Sequence, residues 1–335
     1  MVAFDPAAKE RELHDEASSW DTSAPVPAEP GDIPTVDVGP WFESGDPADL
    51  TAAAAVLRDA SERVGFHQLV GHGISDAEID EIFAATRAFH ALDDELKQPI
   101  LMDRPGHPIG GSGWMPVGER KLPRRAKGNL NEAFLVKRDE HIGFDDNQWL
   151  ADDVLPGFRA TVEAYNRRVE ALALRLLPVW AVALDLPAEF FASAFEHPFQ
   201  RLRMTHYPPD LASATDDFGI APHVDTTFFT LLLQDSPGLT IFSAERQQWI
   251  AAPYVPGAFV VNSGELLRTW SNDRVLSTRH FANNAATESR YSIPFFFNAN
   301  ADFPMECLPS CHGPDNPPKY PTISYNQSQA VVQGE

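Results

Sequence analysis

The sequence predicts an α+β protein that is mainly β, with a barrel or sandwich of short strands preceded by helices. From Phe199 onward, short runs rich in β-branched and aromatic residues alternate with turns, as in TFFTLLLQ, AFVVNSG and RYSIPFFFN. Closely spaced short strands of this kind are typical of barrels and sandwiches. The N-terminal half instead carries longer stretches with helical composition and helix-capping signals.

Three stretches of the N-terminal half predict helices. DLTAAAAVLRDASERVG is rich in alanine and ends at Gly65, and SDAEIDEIFAATRAFHAL begins at Ser75 with Glu78 three residues later. A serine followed three residues later by glutamate is typical of a capping box at a helix N-terminus. GFRATVEAYNRRVEALALRLLPVWAVALDL predicts a long scaffold helix, whereas IPTVDV and FHQLVGHG predict strands.

The chain divides into a short arm and one large domain. Residues 1–30 are predicted to form an N-terminal arm, helical over about 5–20, and a proline-rich linker. A single domain is predicted over residues 31–335, with an N-terminal helical part over 31–198 and a β core over about 199–300. A 335-residue chain with 43% hydrophobic residues can bury a core of that size.

Charge and composition exclude several classes of partner. With 26 basic and 48 acidic residues the net charge is −22, which repels nucleic-acid phosphates and anionic membranes. The N-terminus lacks the apolar region of a secretory signal, and no apolar run is long enough to span a membrane. Only two cysteines, Cys307 and Cys311, are present, which is typical of a reducing compartment. We therefore expect a cytoplasmic protein.

A possible metal centre is found in the segment APHVDTTFFTLLLQ, where His223 and Asp225 are two positions apart. In a strand these side chains project from the same face, so an imidazole and a carboxylate converge. A third candidate, His280, follows in LSTRHF, far enough along the chain to return on another strand. Two imidazoles and one carboxylate leave open positions on a metal, an arrangement that suits Fe(II) and O₂ chemistry.

A candidate carboxylate receptor lies ten residues beyond His280. Arg290 and Ser292, in RYSIPFFF, share a strand face, and a guanidinium with a hydroxyl binds carboxylates well. Together with the metal ligands, this pair suggests a bidentate oxo-acid whose far end is anchored. Taken alone, Arg290 is better interpreted as part of an ordinary surface ion pair, for instance with Glu288.

Taken together, these segments resemble a known family. HYPP, APHVDTTFFTLLLQ, PGLTI, PGAFVVNSGELLRTWSNDRVLSTRH and RYSIPFFFN resemble the isopenicillin N synthase-like group of 2-oxoglutarate/Fe(II) oxygenases, as do IPTVDV and GFHQLVGHGIS. The resemblance covers roughly residues 31–325. It implies a double-stranded β-helix (jelly-roll) core with flanking N-terminal helices. It also implies an enzyme that uses Fe(II), 2-oxoglutarate and O₂ to hydroxylate or desaturate a small molecule, releasing succinate and CO₂.

The resemblance also assigns roles to individual residues. The HxD pair and the distal histidine described above match the iron ligands. Arg290 and Ser292 match the residues that bind the C5 carboxylate of 2-oxoglutarate, and Tyr207 matches a tyrosine of the same pocket. Thr205, with Arg203, should share the face of Tyr207. The family often has asparagine where this chain has Thr205, which puts one co-substrate contact in question.

Two other functions remain open at this level. An iron oxidase that does not use 2-oxoglutarate could hold a substrate carboxylate with Arg290 and Ser292. A non-catalytic metal- or ligand-binding protein could be built on the same fold.

The substrate is only weakly indicated by the sequence. Five basic residues between Arg120 and Lys127, in ERKLPRRAK, suggest the hypothesis of an anionic substrate. A solvated basic loop is the simpler interpretation. Trp114, Phe134 and Phe228 are candidates for an apolar pocket wall, although each is more often an ordinary core residue.

Overall fold

Two β-sheets form the centre of the protein in a computed structural model, which describes residues 22, 25–105, 110–119, 127–209, 217–285 and 287–328. The strands are β1 Val26–Pro27, β2 Thr35–Asp37, β3 Phe66–Val70, β4 Gly113–Met115, β5 Glu132–Arg138, β6 Phe199–Tyr207, β7 Ile220–His223, β8 Phe229–Gln234, β9 Leu239–Ser243, β10 Gln248–Ala251, β11 Phe259–Ser263, β12 His280–Ala282 and β13 Arg290–Asn298. The larger sheet has the order β2-β3-β11-β8-β13-β6-β5-β4, and the smaller one β1-β10-β9-β12-β7.

The helices lie mainly in the N-terminal half of the chain. They are α1 Gly39–Ser44, α2 Pro47–Arg63, α3 Asp76–His90, α4 Asp94–Lys97, α5 Phe158–Ala183 and α6 Glu265–Trp270. The capping box predicted for α3 is present, since the Glu78 N–H donates to Ser75 Oγ and Glu78 Oε2 accepts from the Ser75 N–H. The predicted α+β architecture, a jelly-roll core with flanking helices, is confirmed.

Five strands come from the part of the chain before Phe199, and three of them were not predicted. β1 pairs in parallel with β10, although Val26–Pro27 falls within the stretch expected to be a linker. β4 and β5 add to the edge of the larger sheet beside β6. β1 and β4 are short edge strands, and β5 lies between β4 and β6. Pairing with a neighbouring strand, more than local sequence pattern, defines all three. The predicted helical arm over residues 5–20 lies outside the described residues.

The outer face of the larger sheet packs against the helices. Alternate residues of its strands join one hydrophobic cluster with the buried faces of α2, α3 and α5. Trp180 of α5 stacks on Phe229 of β8, with ring centroids 5.7 Å apart and an interplanar angle of 11°. Trp114, Phe134 and Phe228 belong to this cluster too, so the structure favours the core interpretation of these residues over the pocket wall.

The inner face of the larger sheet carries a different set of residues, because side chains alternate along each strand. The residues concerned are all buried, and along their strands they alternate with residues of the cluster under the helices: Thr230 and Gln234 of β8, Asn262 of β11, and Arg290 and Ser292 of β13. The space between the sheets is therefore partly polar. Buried polar groups of this kind need partners, which a ligand can supply.

Removing the Trp180 ring should destabilise the fold strongly. Trp180 is 1% exposed, and Trp180→Ala should lower the free energy of unfolding by about 3–5 kcal/mol, because it leaves a large cavity under β8. Leu174→Ala is the matched control, since Leu174 lies on the same helix but is 37% exposed, and it should change stability by about 0.5 kcal/mol or less. Urea unfolding measures both. Equal effects of the two substitutions would contradict the packing described here.

Candidate metal centre

Three potential metal ligands converge at one edge of the smaller sheet. His223 ends β7, His280 begins β12, and the two residues face each other in the register of this antiparallel pair. Asp225 follows His223 by two residues, and its Oδ1 atom lies 3.6 Å from His223 Nε2 and 3.8 Å from His280 Nε2. The three ligand atoms lie within 4.8 Å of one another. The structure thus brings together the three residues that the sequence selected.

Backbone contacts fix the orientation of both imidazoles. His223 Nδ1 lies 2.9 Å from the Ala221 carbonyl oxygen, and His280 Nδ1 lies 3.1 Å from that of Thr278. Because a carbonyl oxygen only accepts, each Nδ1 carries the hydrogen and each Nε2 offers a lone pair. Burial, together with the neighbouring His223, lowers the pKa of His280 to about 4. At neutral pH His280 is therefore in the uncharged form that binds metal.

Asp225 is held by the opposite sheet. Its Oδ2 atom accepts from Thr230 Oγ1 of β8 at 2.7 Å and from Asn262 Nδ2 of β11 at 2.9 Å. Burial would raise the pKa of the Asp225 carboxyl, but the two imidazoles and the Asn262 amide outweigh it and hold that pKa well below its usual range. The carboxylate is thus charged, and its Oδ1 atom is left for a metal.

This donor set fits iron(II). Two imidazole nitrogens and one carboxylate oxygen on one side of an ion leave positions open for a co-substrate and O₂. The ring of Phe66 packs edge-on against His280, with centroids 5.3 Å apart, and closes the site on the side of β3. An apolar neighbour of this kind limits the access of water to the ion.

A buried guanidinium faces the space between the sheets. Arg290, opposite Tyr207 in the β13–β6 register, is 2% exposed and lies 4.7 Å above the Tyr207 ring. Its Nη2 atom donates to Gln234 Oε1 at 2.9 Å, whereas its Nη1 atom is buried without a partner. A Cβ on Gly238 would lie 2.8 Å from Arg290 Nε, so only glycine leaves room there for the side chain.

The surroundings of Arg290 favour a carboxylate receptor over an ordinary surface ion pair. Among the described residues Arg290 forms no ion pair, and an exposed pair with Glu288 is not formed. Ser292 lies two residues further along β13, opposite Thr205, and both are buried. A buried cation with a free N–H and adjacent hydroxyls fits an anionic ligand such as the far carboxylate of 2-oxoglutarate.

A second group with metal-binding residue types lies on the other face of the larger sheet. It consists of His90, Glu132 and His206. Both carboxylate oxygens of Glu132 are engaged, since Lys97 Nζ lies 3.1 Å and Trp114 Nε1 2.9 Å from Oε2, and His206 Nδ1 lies 2.8 Å from Oε1. The ammonium group of Lys97 opposes a further cation. We therefore interpret this group as a buried ion-pair network that joins β5 and β6 to the helices.

Several residues that build the site were missed by sequence reasoning. Thr230, Asn262 and Gln234 support Asp225 and Arg290 through hydrogen bonds across strands. Their own strand segments gave no signal, because only the pairing of strands shows what each residue faces. The basic loop proposed to meet substrate falls largely on residues 120–126, outside the described residues. Of its five basic residues only Lys127 is described, and it pairs with Asp217 at 2.9 Å.

Comparisons with known proteins show the family to which the chain belongs. A family model described as 2OG-Fe(II) oxygenase superfamily matches residues 198–299, and one described as non-haem dioxygenase in morphine synthesis N-terminal matches residues 33–152. A 2-oxoglutarate-dependent dioxygenase of Didymella fabae is 31% identical over 296 residues, covering 82% of this chain and 88% of the relative. Azadirone synthase of Melia azedarach is 33% identical over 296 residues, covering 83% and 87%.

Solved structures show the same fold. The crystal structure of a full-length Neurospora crassa protein in complex with alpha-KG has a TM-score of 0.79 and 25% identity, covering 90% of this chain and 96% of that one. The complex of the same protein with alpha-KG and thymine has a TM-score of 0.78 and 26% identity, covering 90% and 97%. A jelly roll with a two-histidine, one-carboxylate centre defines the class of non-haem iron oxygenases. Within that class, the chain belongs to the 2OG-Fe(II) oxygenase superfamily and is a 2-oxoglutarate-dependent dioxygenase.

Among the described residues, no helix combines the length and the apolar character needed to cross a bilayer.

The support of Asp225 by Asn262 can be tested through metal affinity. Asn262→Ala should weaken Fe(II) binding about 10–100-fold, because loss of an outer hydrogen bond lets the carboxylate rotate. Asn326→Ala, which changes an exposed asparagine in the C-terminal part of the chain, is the control and should leave the affinity unchanged. Anaerobic competition with a chromophoric chelator measures both. Wild-type affinity in folded Asn262→Ala would refute this support.

Proposed function

We propose that this dioxygenase hydroxylates or desaturates a small-molecule substrate at an iron(II) ion bound by His223, Asp225 and His280. The observation that carries the proposal is the convergence of three donor atoms, together with a buried guanidinium on the inner face of the larger sheet that has no acidic partner among the described residues. Both features cost the folded protein free energy, since buried charges and polar atoms without partners are unfavourable. A metal ion and a dicarboxylic oxo-acid would satisfy both at once.

The co-substrate would lie between the ion and Arg290. Arg290 and Ser292 would bind the C5 carboxylate of 2-oxoglutarate, and its keto acid end would reach the metal. Tyr207 packs against the guanidinium and limits its movement, and Thr205 adds a hydroxyl on the neighbouring strand. The asparagine often found in relatives at position 205 has a longer side chain, so this contact would differ here.

Each part of the site has a separate task. When bound, iron(II) with O₂ and 2-oxoglutarate supplies the oxidising chemistry, with succinate and CO₂ as by-products. Asn262 and Thr230 hold Asp225 so that one oxygen stays directed at the ion. Phe66 and the apolar residues around it, which include Ile241 and Val260, keep the barrel interior dry on that side. Arg290 orients the co-substrate, which leaves one side of the ion for the substrate.

The substrate and the cellular setting are part of the same proposal. The Neurospora crassa complex with thymine shows that a protein of this fold binds a small molecule together with alpha-KG. For this chain we propose a small, anionic substrate. Cys307 and Cys311 are both free thiols, which supports a cytoplasmic protein. We also propose that residues 31–335 form one oxygenase domain.

Formation of the co-substrate complex tests the proposal. Anaerobic addition of 2-oxoglutarate to the Fe(II)-loaded protein should produce a weak visible metal-to-ligand charge-transfer band. In Arg290→Met the dissociation constant of 2-oxoglutarate should rise about 30-fold or more, because a buried carboxylate loses its charged partner. Arg175→Met on α5, where the guanidinium lies over Phe42, is the control and should bind normally.

Two results of that titration would count against the proposal. Bound iron without a band on adding 2-oxoglutarate would favour the oxidase that holds its own substrate with Arg290. A band of equal affinity in Arg290→Met would remove Arg290 from the co-substrate site.

A further inference from the structure

A second guanidinium is buried between the sheets. Arg203 of β6 is 2% exposed, and its Nε and Nη2 atoms donate to Thr205 Oγ1 at 3.2 Å and to Asn131 Oδ1 at 2.6 Å. Its Nη1 atom is buried without a partner, and no carboxylate among the described residues pairs with it. Both of its partners are neutral, so the positive charge is not balanced by the protein.

Other arginines of this chain show what a structural guanidinium looks like. Arg268 pairs with Glu265 and Asp273, and Arg274 is bridged to Glu62 and Asp185. Those two side chains have carboxylate partners although they are less buried than Arg203. A buried, unpaired cation is costly to the fold, so it indicates an anion that comes from outside the chain.

The strand register places Arg203 next to the proposed co-substrate. Arg203 shares its strand face with Thr205 and Tyr207, since the three alternate along β6. Thr205 faces Ser292 of β13 in the register. Arg203 is therefore one strand away from the proposed carboxylate anchor and two residues further along the barrel.

The same register relates Arg203 to the metal side of the barrel. Gln234, which holds Arg290, also faces Ser292, whereas Thr230, which holds Asp225, faces Phe296 further along β13. Arg203 lies at a level between these two pairs. Its partner Asn131 also donates to the Gly219 carbonyl oxygen, just before the strand that carries the first histidine. The guanidinium thus lies beside the space between the metal ligands and the co-substrate anchor.

An apolar surface adjoins this guanidinium. Met115, Ala133 and Leu135 form a small buried cluster of their own, separate from the core under the helices. Leu135 faces Arg203 and Ala133 faces Thr205 in the β5–β6 register, and Met115 faces Ala133 from β4. A cation beside an aliphatic surface suits a ligand with an apolar body and an anionic end.

A charge balance gives the charge of that ligand. Iron(II), Arg290 and Arg203 bring four positive charges to the space, and Asp225 and the 2-oxoglutarate dianion bring three negative ones. One positive charge remains. It lies on Arg203, because Arg290 is the guanidinium that binds the co-substrate. A monocarboxylate would balance it with the bidentate geometry that arginine favours.

We propose that the substrate is a small apolar monocarboxylate, whose carboxylate binds Arg203 and whose apolar body lies along Met115, Ala133 and Leu135. This inference rests on the proposed function, because the balance assumes that Arg290 and iron take the 2-oxoglutarate. Arg203 determines substrate specificity: it selects an anionic substrate and directs the apolar body of that substrate towards the metal side of the barrel.

Binding to the loaded protein tests the inference without turnover. The protein is loaded with Zn(II), a redox-inert substitute for iron, and saturated with 2-oxoglutarate. Phenylacetate, 3-phenylpropanoate and decanoate are then compared with their neutral amides by calorimetry and ligand-observed NMR. In wild type at least one carboxylate should bind about tenfold or more tightly than its amide, and further 2-oxoglutarate should not displace it.

Variants of Arg203 test whether this residue causes the preference for a carboxylate over its amide. In Arg203→Met the carboxylate and its amide should bind within about twofold of each other, while 2-oxoglutarate still binds. Arg201→Met, on the same strand but in contact with Phe199 and Tyr325, is the matched control and should keep the wild-type preference. Arg203→Lys, which keeps the charge, should retain a smaller preference and serves if the methionine variant does not fold.

The outcomes separate this inference from the proposed function. Failure of 2-oxoglutarate to bind metal-loaded wild type would overturn the proposed function before any probe is added. If 2-oxoglutarate binds, a wild type that shows no preference for carboxylates, or a preference that survives in folded Arg203→Met, would overturn the role of Arg203 alone.

Discussion

The hydrogen bonds that Asp225 accepts from Asn262 and Thr230 are the constraint on which the site depends. Asp225 comes two residues after β7 of the smaller sheet. The two hydrogen bonds join its carboxylate to β8 and β11, in the middle of the larger sheet. One oxygen is thereby occupied, and the other is left beside the imidazoles of His223 and His280. The position of the candidate ion is therefore set by the distance between the sheets.

Strand alternation divides the larger sheet into two chemically different faces. The outer face supplies aromatic and aliphatic side chains to the core under α2, α3 and α5, which makes the sheet a rigid support. The inner face supplies hydroxyls, amides and the buried guanidiniums of Arg203 and Arg290 to the barrel interior. Their unpaired Nη1 atoms are a cost to the folded protein alone. Such a cost is understandable where function requires that an anion be bound.

Much of the site could be predicted because its chemistry follows the period of a strand. His223 and Asp225, and likewise Arg290 and Ser292, are two residues apart, so each pair shares a face whatever the rest of the chain does. That the two pairs lie close together was suggested by resemblance to a family. In the structure each pair stands in its own sheet: His223 faces His280 in the smaller one, and Arg290 faces Tyr207 in the larger one.

What the sequence did not reveal depends on pairing between strands. Asn262 stands in AFVVNSG like any polar residue of a strand, and only its position opposite Thr230 shows that it supports the metal ligand. Arg203 was placed on the face of Tyr207 by parity, but its lack of an acidic partner appears only in three dimensions. The same limit applies to Glu132, whose buried pair with Lys97 joins segments 35 residues apart.

The most direct test of the account is the position of the metal in crystals grown with Zn(II) and 2-oxoglutarate. Anomalous scattering at the zinc edge should give one strong peak, about 2.0–2.2 Å from His223 Nε2, Asp225 Oδ1 and His280 Nε2. The co-substrate should extend from that peak to Arg290. A peak between His90, Glu132 and His206 instead, with none at the first position, would contradict the assignment of the metal centre.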